Sequence, residues 1–115
     1  MKKEDLDELK NLLENYKEKG IRYGKPLKLL LERNDTTEEE VNKELFSLIN
    51  LEHIEKQEKD GEIRYVLFFV YNKRRGRQYV LTFREKIIVV TLFPFGRKTL
   101  LKYRKRRFIK FKRII

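Results

Sequence analysis

At Asp60-Gly61 the apolar periodicity of the chain changes from helical to strand-like. Before this dipeptide, apolar residues recur at three- and four-residue steps among acids and lysines. After it they come in dense runs of Val, Ile, Phe and Tyr. A period of 3.6 buries one stripe of a helix and a period of two buries one face of a strand, so one pattern cannot serve the other element. The order is therefore helices first and a sheet second. We expect an α+β fold, with two or three N-terminal helices packed on a three- to four-stranded antiparallel sheet and a basic C-terminal segment after it. A chain of 115 residues suits a single domain, with residues 1–51 helical, 52–95 an antiparallel meander and 96–115 the basic segment.

Leu6, Leu9, Leu12, Leu13 and Tyr16 predict an amphipathic helix from about Glu4 to Lys19, with Gly20 as its stop. Pro26 fits the first turn of a short second helix through Arg33. A third helix is announced by Thr36 and Thr37, either of which can cap it. Glu38, Glu39 and Glu40 then stand in its first turn, where the helix dipole favours anions. Val41, Leu45, Leu48 and Ile49 give it one apolar face through about Leu51.

Three strands are expected at Ile63–Tyr71, Gln78–Phe83 and Ile87–Phe93, and a short further run at His53–Gln57. The third, almost wholly apolar, reads as a central strand buried on both faces. Asn72 to Arg77 and Arg84-Glu85-Lys86 suit antiparallel hairpins. From Arg97 on, a short helix or turn is expected first and an extended tail after it.

The charge follows the same division. Residues 1–60 hold 12 Lys/Arg against 16 Asp/Glu, whereas residues 61–115 hold 17 Lys/Arg against only Glu62 and Glu85. A segment this one-sided repels itself and favours a polyanion, most often nucleic acid. The chain is too apolar for a disordered basic tail. Its longest uncharged apolar run, Ile87 to Phe95, is about half of what a spanning helix needs. With no cysteine and no secretory or lipidation signal, we expect a cytoplasmic protein with no membrane association.

Catalytic motifs of the usual kinds are missing from the sequence. One histidine, His53, and no cysteine cannot assemble a zinc or non-haem iron site, and His53 reads as structural. There is no phosphate loop and no Ser/His/Asp set, and no cofactor is expected. The acids of the first half read as helix-surface and capping residues. What remains is a basic, aromatic constellation. Lys73, Arg74, Arg75 and Arg77 crowd the first hairpin tip. Arg97, Lys98, Lys102, Arg104, Lys105, Arg106 and Arg107 follow the last strand, with Tyr103 among them. Arg offers a planar fork to phosphate, and Tyr can stack on a base or donate its hydroxyl. We expect RNA or DNA as the partner.

The stretch Arg77 to Phe108, RQYVLTFREKIIVVTLFPFGRKTLLKYRKRRF, resembles the C-terminal half of RelE/ParE-type toxins. Those end with a tight β-hairpin, a Gly-Lys/Arg pair at the strand's end and a Tyr several residues on. The likeness runs from Arg64 onward and is poor over the helical part. Here the Gly96-to-Tyr103 spacing is about a residue shorter than the family's. The RelE branch cleaves messenger RNA without metal, its basic residues stabilising the phosphate while the ribose 2′-hydroxyl attacks. The resemblance implies that Arg97 or Lys98 takes the family's phosphate-stabilising role, that Tyr103 matches its Tyr, and that Arg77 matches another basic site position. It also implies an acidic antitoxin as a protein partner. The ParE branch inhibits gyrase on a similar fold.

ELFSLINLEHIEKQEKDGEIRYVLF is similar, in turn, to the recognition helix and wing of small winged-helix regulators, which implies a non-catalytic DNA binder. The carboxylates of the third helix oppose that mode, because a helix in the major groove wants Arg, Lys, Asn or Gln facing out.

Overall fold

The structure, a computed structural model, describes residues 3–99 and 101–102. Helix α1 spans Lys3–Tyr16 and ends in a single 3₁₀ turn, Lys17–Lys19. Gly20 then reverses the chain at φ +89°, a backbone region costly for any residue with a Cβ. Strand β1 (Ile21–Tyr23) follows, then α2 (Leu27–Arg33) and α3 (Glu38–Ser47). Thr37 is the α3 cap, its Oγ1 accepting from the Glu40 backbone N–H at 3.2 Å. The helix stops at Ser47, short of Leu51, because Leu48 adopts the left-handed conformation at φ 56°. Ile49 consequently faces solvent and does not extend the apolar stripe of Val41 and Leu45.

Four long strands follow: β2 (Leu51–Lys59), β3 (Glu62–Val70), β4 (Arg75–Arg84) and β5 (Lys86–Gly96). The run at His53–Gln57 is thus the middle of a nine-residue strand. Asp60 and Gly61 both take positive φ, as the tight β2–β3 turn requires. The strands from β2 to β5 form an antiparallel meander, in line with the sequence.

The fold is α+β with its helices N-terminal, but the sheet is neither three- to four-stranded nor wholly antiparallel. Among the described residues it has five strands in the order β1-β5-β4-β3-β2, and β1 lies parallel to β5. Three residues, Ile21-Arg22-Tyr23, are too few to show a strand period. They are strand only because Ile21, Arg22 and Tyr23 align with Ile87, Ile88 and Val89. The Ile87 N–H bonds the Gly20 carbonyl at 3.0 Å, and the Gly24 N–H bonds the Val89 carbonyl at 2.8 Å.

The helices cover one face of the sheet. Leu9 and Leu13 of α1, Leu30 of α2, and Val41 and Leu45 of α3 are buried with Leu67, Phe69, Tyr79, Leu81, Ile87, Val89 and Leu92 in one apolar cluster. Asn34, at the end of α2, donates its amide to the Leu92 carbonyl at 3.3 Å and ties that helix to β5. A smaller cluster of Val66, Phe68 and Phe95 lies apart from this core. Strand β5 is interior to the sheet as expected. A bulge between Val80 and Leu81 breaks its pairing with β4, however, and Ile88, Val90 and Thr91 are only half-buried.

Candidate nucleic-acid interface

The hairpin tip between β3 and β4 is held by one side chain. Asn72 Oδ1 accepts from the Arg74 N–H at 2.8 Å and from the Arg75 N–H at 3.0 Å. Such a side-chain turn is what Asn supplies where a chain must reverse tightly. It fixes Lys73, Arg74 and Arg75 on an outward bend, and all three are exposed.

Register then brings the second basic group to the same place. Arg75 pairs with Gly96, and Gly76 with Phe95. Paired backbones lie about 5 Å apart, so Arg97 leaves β5 beside the strand that carries Arg75. Residues 97–99 and 101–102 are helical, and Arg97, Lys98 and Lys102 are exposed. Five side chains expected from the sequence to bind or act on nucleic acid (Tyr103, Arg104, Lys105, Arg106 and Arg107) lie outside the described residues. Among the described ones, Lys73, Arg74, Arg75, Arg97, Lys98 and Lys102 stand at or just beyond one end of the sheet.

Gly76 is what lets the two strands close here. A Cβ at this position would fall 2.2 Å from the Phe95 ring and 2.7 Å from the Phe69 carbonyl oxygen. The missing side chain is the space into which Phe95 packs.

Arg77 behaves differently from its neighbours. It points to the helical side, where its Nη1 lies 3.1 Å from Glu44 Oε1 of α3, and both side chains are 13% exposed. Arg77 Nη2 also donates to the Asn34 carbonyl at 3.4 Å. Its charge is met inside the protein, whereas among the described residues none of the six exposed cations forms an ion pair. Burial works against the Arg77 charge, but Tyr79, Tyr71 and Glu44 more than offset it and hold its pKa above the ordinary arginine value.

Glu44 gathers three donors. Tyr79 donates to its Oε1 at 2.6 Å, Tyr71 donates to its Oε2, and Arg77 supplies the third contact. Burial first, and the Glu44 hydrogen bond second, push the Tyr71 and Tyr79 phenols well above the ordinary tyrosine range. The sequence contains one clue to this inward turn: Glu44 stands three residues after Val41 and beside Leu45, at the edge of the α3 apolar stripe. Its partners, on β4 and on the hairpin, have no local signal.

The opposite end of the sheet has another character. A cavity of about 550 Å³ lies there, between α1 and the β3–β4 surface, with Glu8, Tyr16, Glu62, Tyr65 and Phe83 in its walls. Its carboxylates are engaged. Glu8 accepts from Tyr65 and from Lys56, which together lower its pKa. Glu62 lies 2.9 Å from Arg84 and 3.5 Å from Arg64. Its pKa is also lowered, first by a hydrogen bond with Thr82 and then by those two charges.

The Asp60-Gly61 turn that a winged helix would present as its wing is also at this end, a full length of β3 away from the basic tip. The outer face of α3 shows Glu38, Glu39 and Glu40, all exposed. Among the described residues there is no group of His, Cys, Asp or Glu able to hold a metal ion, and no helix long and apolar enough to cross a membrane. Comparison with protein families, with curated proteins and with solved structures finds no match to this chain.

Proposed function

We propose that this protein binds RNA through the basic end of its sheet, as a RelE-like toxin would. The observation that carries the proposal is the Arg75–Gly96 register, which unites two cationic segments distant in sequence. Six unpaired cations held together repel one another, and a phosphate backbone relieves that repulsion while releasing its own counterions. Three of the cations sit on the hairpin tip and three on the helical residues that follow β5, and a tip of this kind favours a flexible strand over the major groove of duplex DNA.

The RelE-like reading adds a reaction. The ribose 2′-oxygen, losing its proton, bonds to the adjacent phosphorus as the bond to the 5′-oxygen breaks and that oxygen gains a proton. Arg97 or Lys98 would stabilise the charge that develops on the phosphoryl oxygens, and the resemblance gives Tyr103 the role of the family's Tyr. An acidic antitoxin segment would cover the same surface.

The test is incubation with single-stranded RNA in EDTA, alongside binding measured over a range of salt. Cleavage leaving a 2′,3′-cyclic phosphate, lost in Arg97→Ala and Lys98→Ala, is the expected result for a toxin. Each of Arg74→Gln and Lys98→Gln should lower the salt slope by about 0.7. Binding without cleavage would leave an RNA-binding protein and remove the enzyme. Affinity for duplex DNA that exceeds affinity for RNA, or wild-type affinity unaffected by salt, would overturn the proposal.

A further inference from the structure

Resting on the RNA-binding reading above, we infer that Tyr71 is the base-stacking platform of this surface. Tyr71 leads directly into the Asn72–Arg75 tip, and its side chain is 39% exposed although it is large and aromatic. Two contacts fix the ring. Its hydroxyl donates to Glu44, and the Arg77 guanidinium carbon lies 5.7 Å from the ring centroid. The backbone is fixed too, because the Tyr71 N–H bonds the Arg75 carbonyl at 3.1 Å across the turn. A ring anchored at its hydroxyl and still open to solvent over part of its surface loses little freedom when a second flat group lies against it.

The charges around the ring say which part of a nucleotide belongs there. On the tip side are Lys73, Arg74 and Arg75, which suit phosphate. On the α3 side are Glu44, in contact with the hydroxyl, and Glu40, close enough to act on the phenol. Glu44 is offset by its Arg77 partner, so Glu40 is the carboxylate that disfavours phosphate on this side, and a neutral base is unopposed. A nucleotide is anionic at one end and flat and neutral at the other, and this stretch of surface presents the matching sequence of environments. Base-on-ring stacking tolerates any base, so the contact selects unpaired nucleotides over paired ones without reading sequence.

The experiment is fluorescence anisotropy with a labelled unstructured RNA and with a duplex of the same sequence, each over a range of salt. Tyr71→Ala and Tyr71→Leu should bind the single strand roughly tenfold more weakly, with the salt slope unchanged. Duplex affinity should hold, and Tyr71→Phe should stay within about twofold of wild type, since it keeps the ring. The leucine variant guards against simple loss of packing, and thermal melting of each variant establishes folding. If Arg74→Gln lowers the salt slope while Tyr71→Ala and Tyr71→Leu bind like wild type, the stacking role is refuted and the phosphate surface stands. Equal losses on single strand and duplex refute it as well. A wild-type protein that binds neither RNA removes the parent reading, and the stacking role with it.

Discussion

Removing the Glu44 carboxylate should cost this protein a large part of its stability, although Glu44 is one of a run of helix glutamates. Glu44→Ala deprives three donors at once. The Tyr79 side chain is fully buried, and a buried hydroxyl without a partner costs about 1–3 kcal/mol. Arg77 would keep a charge beside a missing counter-ion, and breaking a buried pair in this way costs about 3–5 kcal/mol. It retains some solvent contact and the Asn34 carbonyl, so the low end of that range applies. Tyr71 is part-exposed and water can replace its partner. Together these give about 4–6 kcal/mol, or a melting point lower by roughly 16–24 °C at about 4 °C per kcal/mol. Urea unfolding of Glu44→Ala, Arg77→Met and the double variant measures it. The double variant should lose less than the sum of the singles by about 2 kcal/mol, because Arg77→Met removes the stranded charge. A Glu44→Ala loss below about 1 kcal/mol, or additivity within about 0.5 kcal/mol, would refute the idea that a buried Glu44–Arg77 pair couples α3 to the sheet.

Two further outcomes follow from the packing. Gly76→Ala should destabilise by about 2–3 kcal/mol, since the new methyl must displace the Phe95 ring or the Phe69 carbonyl, and it should weaken RNA binding by disturbing the Arg75–Gly96 alignment; a variant as stable as wild type by urea unfolding contradicts this. Four of the six tyrosines should keep their protons in alkaline solution: Tyr23 is pushed up to about 12, by burial and then by Glu38, and Tyr65, Tyr71 and Tyr79 go higher. Their unfolded value is near 10, below the folded one, so their contribution is complete below pH 10 and is lost as pH rises through the folded values. Phenolate absorbance should rise in one step with loss of ellipticity, and a smooth titration in the folded protein excludes it.

How much of this could be read from the sequence depends on distance along the chain. Features set by neighbouring residues were legible: the Leu6–Tyr16 stripe, a threonine cap at Thr36 or Thr37, and the basic hairpin, whereas the change of period placed at Asp60-Gly61 falls earlier, at the start of β2. The apolar pattern runs on through Leu48 and Ile49 and so predicts a longer α3 than the left-handed Leu48 backbone allows. Strand β1 was missed because its identity rests on pairing with Ile87–Val89, across the whole meander. The candidate surface divides in the same way. The cations are plain in the sequence, but their meeting needs the Arg75–Gly96 register. Arg77 cannot be told from Arg75, which alternation places on the same face, without knowing that α3 lays Glu44 against it.

The parallel pairing of β1 with β5 has a consequence for how the chain is made. Ile21 leaves the ribosome long before Ile87, so β1 must wait, unpaired, until almost everything else has emerged. During that interval β4 exposes the edge that β5 will occupy, and the α1 leucines lack the β5 part of their floor. Strand β5, the last among the described residues, thus docks between β4 and β1, so that the helical part and the meander become native together.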